Sequence, residues 1–125
     1  MIWEKADEED NRVKKSSEWI SLESYKDELE ERSGVYIFAN DDLDVKYVGK
    51  AGAGRMVVEN KDKQQEEEVA KFFFEVYDAI RRKKNTGATQ VKALYTNSSD
   101  MALQYEGILI KKYDPPNNNV DLLKS

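Results

Sequence analysis

At 125 residues the chain has the length of one domain with a core of its own. It contains no cysteine and no histidine, which excludes disulfides, thiolate nucleophiles, cysteine zinc sites, imidazole bases and imidazole metal ligands. The net charge of −5 belongs wholly to residues 1–33, with six Lys/Arg and eleven Asp/Glu, while residues 34–125 carry fourteen of each, so net charge neither supports nor excludes a nucleic-acid partner.

Residues 1–17 are polar and without a clean period, and read as a loose acidic N-terminal arm ahead of a single domain over 18–125. "SSEWISLESYKDELEERSG" predicts a helix, because Leu22, Tyr25 and Leu29 recur at helical spacing, Ser21 or Ser24 can cap it, and Gly34 lies just past its end. "GVYIF" and "VKYVG" are short, β-branched and aromatic, and they flank the turn formers of "ANDDLD", the pattern of a β-hairpin. The glycine-rich "KAGAG" leads to Arg55 and a solvated "NKDKQQEEE". From Glu66 to Lys84, Val69, Phe72, Phe73, Val76, Tyr77 and Ile80 form an unbroken helical stripe, ending at "RRKK". "TQVKALYT" alternates as a third strand. A last helix runs from a Ser98 or Ser99 cap to about Tyr113, where "DPP" stops it. The fold class expected is α+β: a small, largely antiparallel three-stranded sheet flanked by helices, a β-β-α-β-α core behind an N-terminal helix. No apolar run approaches a membrane span and the first ten residues lack an apolar signal core, so the expectation is a cytoplasmic protein with no membrane partner.

Without histidine or cysteine, chemistry falls to carboxylates, tyrosines, lysines, arginines and hydroxyls, and any metal to a hard, oxygen-liking ion such as Mg²⁺. In the last helix, Ala102, Leu103, Leu109, Ile110 and Tyr113 form an apolar stripe, and Glu106 completes it at three-and-four spacing. A carboxylate so placed needs a cation, which leaves a structural pair with Arg or Lys and a metal or catalytic role both open. Tyr36 and Tyr47, taken singly, are packing residues of half-buried strands. Gly49, Gly52 and Gly54 allow a ligand or another backbone to come close, and put Lys50 and Arg55 in a glycine-lined segment able to meet a phosphate. Asn118 in "PPNNN" is by default a turn residue, and "RRKK" a solvated helix end.

Taken in order, "GVY" (34–36), "YVG" (47–49), Arg55, Glu106 within "ALQYEGILIKKYDPPNN", and Asn118 resemble the motifs of the GIY-YIG nuclease superfamily, which includes the N-terminal nuclease domain of the excision-repair incision subunit. The similarity spans residues 33 to 119. It implies a metal-dependent endonuclease acting on DNA, with one Mg²⁺ or Mn²⁺ held by Glu106. Tyr36 would deprotonate or orient the attacking water with help from Tyr47, Arg55 would hold the scissile phosphate, Lys50 would lie at the edge of the site, and Asn118 would brace it. Where many members carry a His or Tyr one turn beyond the Arg, this chain reads Met56, Val57, Val58 and Glu59. That departure keeps a second reading open, a catalytically silent module of the same fold that binds nucleic acid or protein.

Overall fold

The alternating and aromatic runs become a sheet, and the last periodic run becomes a helix packed on it. In a computed structural model of the chain, residues 1–25, 28–30, 32–51 and 87–118 are described. The 35-residue segment 52–86 lies outside them, and with it the helix expected at 66–84, Arg55 and "RRKK". A 3₁₀ helix at Lys5–Glu9 is followed by β1 (Lys15–Ser16), β2 (Ile20–Ser21), β3 (Gly34–Ala39), β4 (Val45–Ala51), β5 (Gln90–Tyr95) and α1 (Ser99–Tyr113).

The three strands expected from sequence are β3, β4 and β5. β3 is central, antiparallel to β4 on one side (Ile37 opposite Val48) and to β5 on the other (Ile37 opposite Lys92). All six of its residues are buried, so its run "GVYIFA" is apolar throughout rather than alternating. Alternation along β3 still sorts the side chains. Val35 and Ile37 face α1 together with Val45, Val48 and Leu94, and meet Ala102, Tyr105, Leu109 and Tyr113. Tyr36 and Phe38 face the other way, with Val91, Ala93 and Tyr95, under Ile20, Tyr25 and Leu29. The β3–β4 turn is held by Asn40, whose side-chain oxygen accepts from Asp42 N–H and Asp44 N–H (3.0 and 2.9 Å).

α1 starts and stops by local chemistry. Ser98 Oγ accepts from Met101 N–H (3.2 Å), Asp100 lies in the first turn, and Lys111 and Lys112 lie in the last. Asp114 closes the helix in the left-handed region (φ 44°), donating its N–H to Ile110 O at 2.8 Å, ahead of Pro115.

Two expectations are corrected. The helix expected from a Ser21 or Ser24 cap to just before Gly34 is not there among the described residues. Ile20 and Ser21 pair with Val91 and Gln90 as β2, Leu22 N–H donates to Thr89 O (3.1 Å), and Leu29 N–H donates to Tyr25 O (3.1 Å) at helical spacing. The edge of β5 explains this. Its backbone groups need partners, and Lys15–Ser16 and Ile20–Ser21 supply them, extending three expected strands to five. Tyr25 and Leu29 still reach the core, as their spacing predicted.

The first seventeen residues, expected as a loose arm, are packed down. Trp3 is 6% exposed, stacked on Tyr113 (centroids 5.2 Å) and edge-on to Trp19 (6.3 Å). Trp3 N–H donates to Leu43 O (2.8 Å) and Glu4 N–H to the Tyr113 hydroxyl (2.9 Å). Asp7 is the clasp: its carboxylate accepts from the Tyr113 hydroxyl and from Lys112 Nζ, and its carbonyl from the Tyr105 hydroxyl. Hydrogen bonding to Asp7 holds the Lys112 ammonium above its ordinary pKa. A polar segment without period can be ordered when a few aromatic and charged anchors find partners on another element, and periodicity does not report such anchors.

Candidate functional site

β3 and β4 bring the two motif tyrosines together. Tyr36 stands opposite Gly49 and Tyr47 opposite Phe38, so both rings rise from one face of the sheet, with centroids 6.3 Å apart. Phe38 completes the cluster, at 5.6 Å from Tyr36 and 6.0 Å from Tyr47. Tyr36 is 4% exposed and Tyr47 half-buried.

Both motif glycines are required by close approach. A Cβ on Gly49 would lie 2.4–2.6 Å from the hydroxyl-bearing end of the Tyr36 ring, so the ring occupies the space a side chain would fill. A Cβ on Gly34 would lie 2.6 Å from Leu94 O of the neighbouring strand. "GVY" and "YVG" therefore share one local cause: the first tyrosine is seated on the second glycine.

Asn118 is buried, and both ends of its carboxamide grip one residue of β4. Its Oδ1 accepts from Val48 N–H (2.9 Å) and its Nδ2 donates to Val48 O (2.7 Å). Asn117 Nδ2 donates to Lys46 O (2.8 Å) one step along the same edge. β4 ends the sheet, so these two asparagines provide the hydrogen bonds a further strand would have made. The sequence reading of Asn118 as an ordinary turn residue is replaced by a clamp on the middle residue of "YVG".

Glu106 lies on α1, but not in the middle of its buried side. The buried residues of the helix are Ser99, Ala102, Tyr105, Leu109 and Tyr113, whereas Leu103, expected on the stripe, is 44% exposed. The stripe is centred between Tyr105 and Leu109, which places Glu106 on its flank beside Ile110, half-buried. The difference comes from Tyr105: its long side chain reaches Asp7 with a polar tip while its ring packs, so a residue left out of the expected stripe is core. Lys50, two residues beyond Val48, shares by alternation the α1 face of β4 and is half-buried.

The expected site residues thus fall into two groups. Tyr36 and Tyr47 rise from the face opposite α1. Lys50 lies on the α1 face, Glu106 on α1 itself, and Asn118 at the β4 edge between the two faces. Arg55 lies outside the described residues. Among the described residues no group of three carboxylates forms a cation cage. α1 places one half-buried carboxylate, Glu106, on its flank. Several cations of the described surface are already matched to carboxylates: Lys46 to Asp44 (3.1 Å), Lys112 to Asp7 (2.9 Å) and Arg12 to Asp10 (3.0 Å).

Sequence reading missed Lys92. It is 4% exposed in β5, opposite Ile37, its ammonium donating to Ser17 O (2.6 Å) and lying 3.2 Å from Glu8 Oε1. The signal was present: alternation in "QVKALY" puts this lysine on the same face as Leu94. Among the described residues no helix is long and apolar enough to cross a membrane. Comparison with protein-family models, with curated proteins and with solved structures gives no match.

Proposed function

We propose that the chain is a divalent-metal-dependent endonuclease that hydrolyses phosphodiester bonds of DNA, on the plan of the GIY-YIG nucleases its motifs resemble. The observation that carries the resemblance behind this reading is the Asn118 clamp. Two motif segments seventy residues apart, "YVG" and "PPNN", are joined by two hydrogen bonds on Val48, as parts of one site should be. The seating of Tyr36 on Gly49 supports it in the same way.

In this reading Glu106 holds the ion. Bound there, a Mg²⁺ or Mn²⁺ would neutralise charge on the phosphate oxygens and ease departure of the leaving oxygen. Tyr36 deprotonates or orients the attacking water, assisted by the half-buried Tyr47 beside it. Lys50 contributes positive charge at the end of β4, and Arg55 binds the scissile phosphate. Asn118 holds β4 in register and is a positioning residue.

The test is nicking of supercoiled plasmid by purified protein with Mg²⁺ or Mn²⁺. Glu106→Gln should abolish nicking while leaving the melting temperature within about 2 °C, since a half-exposed flank position tolerates the isostere. EDTA-insensitive nicking, or full activity in Glu106→Gln, would sink the proposal.

A second reading has its own observation. Tyr36 is almost wholly buried among Phe38, Tyr47 and Gly49, and the tyrosines and α1 lie on opposite faces of the sheet. A catalytically silent module, using this fold to bind nucleic acid or protein, needs no convergence across the β4 edge. It predicts DNA or protein binding without cleavage, unchanged by Glu106→Gln.

A further inference from the structure

The chain's two tryptophans line one pocket. It lies between the N-terminal segment and β5, has a volume of about 250 Å³, and is walled by Trp3 and Trp19 with their rings at 86°. Lys92 lies inside, its side chain 5% exposed, with the ammonium 5.6 Å from the Trp19 ring centroid. Glu8 stands beside it and accepts Trp3 Nε1–H at 2.9 Å. Lys5 and Glu18 sit at the rim.

We infer that this pocket binds one uncharged planar heteroaromatic ring carrying an exocyclic carbonyl, the chemistry shared by oxo-nucleobases and nicotinamide. Size sets the first limit: the volume falls below the ~300–1,000 Å³ of sites for drug-sized ligands, leaving room for one ring system. Charge sets the second. Lys92 and Glu8 neutralise each other, and the rim carries one cation, Lys5, and one carboxylate, Glu18, so neither a phosphate nor a bare cation finds net opposite charge. The half-buried Trp19 indole supplies one flat apolar wall, with Trp3 edge-on to it and stacked on Tyr113, and such a wall selects a ring over a flexible chain. The hydrogen-bond inventory sets the third. An ammonium has three N–H groups, and among the described residues Ser17 O takes one in hydrogen-bond geometry and Glu8 balances the charge. The donor capacity left meets a ligand carbonyl. Nothing here depends on the nuclease reading, because a free ring is enough to fill the pocket.

Tryptophan fluorescence of the whole chain reports on this pocket directly, since it contains both emitters. Uridine, inosine and nicotinamide are titrated with excitation at the red edge of tryptophan absorption. At least one should quench saturably, with adenosine, which lacks the exocyclic carbonyl, weaker by about tenfold or more, the worth of one hydrogen bond to a charged donor. Tighter binding of uridine or inosine marks a nucleobase seat, and tighter nicotinamide a pyridine-carboxamide seat; either supports the ring chemistry. Lys92→Met should abolish the difference between uridine and adenosine. As that change strands Glu8, Trp19→Leu is the second variant: it removes a wall, spares the buried pair, keeps Trp3 as reporter, and should weaken binding by about tenfold. No saturable quenching by any of the three, adenosine as tight as the tightest of them, or parental affinity in Trp19→Leu overturns the inference.

Discussion

Replacing Asn118 by alanine isolates the clamp on β4. The parent makes two short hydrogen bonds to Val48, a residue with no exposed surface, from a side chain that is itself 8% exposed. As exchanged interactions the two bonds are worth about 0.5–1.5 kcal/mol each, and a buried N–H or C=O left without a partner costs about 1–3 kcal/mol. If water enters the vacated space the loss lies near the lower figures, and if it stays dry near the upper, so a central value is about 3 kcal/mol. For a domain of this size each kcal/mol moves the melting temperature by about 4 °C, giving a fall of about 12 °C. Asn117→Ala removes one half-buried bond and should cost about 1 kcal/mol, or about 4 °C. Asn118→Asp keeps the shape and the acceptor for Val48 N–H but turns the donor into an acceptor facing Val48 O. It should be at least as damaging as alanine at neutral pH. Protonation restores a donor, so its deficit relative to the parent should shrink as the pH is lowered towards 4. Thermal melts by circular dichroism check the magnitudes, and hydrogen exchange at the Val48 amide checks the location. A melting temperature within about 2 °C of the parent for Asn118→Ala, or unchanged protection at Val48, would refute the argument.

Gly49→Ala drives a methyl into the Tyr36 ring and should cost about 1–3 kcal/mol, the range for an overpacked core; Tyr36→Leu should recover part of that loss in the double variant, which urea melts would read as coupling. Tyr105 and Tyr113 are held above the ordinary phenol pKa of 10, in both cases first by burial, so the unfolded chain loses these protons before the folded one. Their contribution is therefore whole below pH about 10 and lost as the pH rises above it, and the steep alkaline fall in melting temperature should flatten in Tyr105→Phe and Tyr113→Phe. Trp3→Ala removes a nearly buried indole that stacks on Tyr113, and should cost about 3–5 kcal/mol; a change under about 1 kcal/mol in a urea melt would return residues 1–9 to the status of a loose arm.

What the sequence made legible follows from range. Strands β3, β4 and β5 and helix α1 announce themselves by period, turn and cap, and all four lie where those signals put them, within a residue or two. Ile20–Ser21, expected ahead of or capping a helix, became a strand because its backbone answers a need on β5, seventy residues along the chain. No local pattern records that need. The packed N-terminus was hidden for a related reason: Trp3, Asp7 and Glu8 act through scattered tertiary partners, and scattered partners have no period. In the candidate site, Tyr36 and Tyr47 as neighbours on one face were legible from hairpin register. The place of Glu106 on the flank of its stripe was not, because the expected stripe included Leu103, which is exposed, and left out Tyr105, which is core.

The motif residues do not bear equally on function. Gly34, Gly49 and Asn118 have complete structural causes: a carbonyl at 2.6 Å, a seated ring, and a clamped edge strand. A working nuclease and a silent module of the same fold need all three alike. Loss of activity in Gly49→Ala or Asn118→Ala would therefore say only that β4 must be in place. Tyr36 stands between, since its packing accounts for its ring but leaves the use of its hydroxyl to be decided. Glu106, on a helix flank, is different, because the fold built by α1 is already specified by Ala102, Tyr105, Leu109 and Tyr113. Glu106→Gln alters charge and leaves that core untouched. If cleavage vanishes there while the melting curve stays, the carboxylate is chemistry rather than architecture, and the two faces of the sheet must meet around the edge that Asn118 holds.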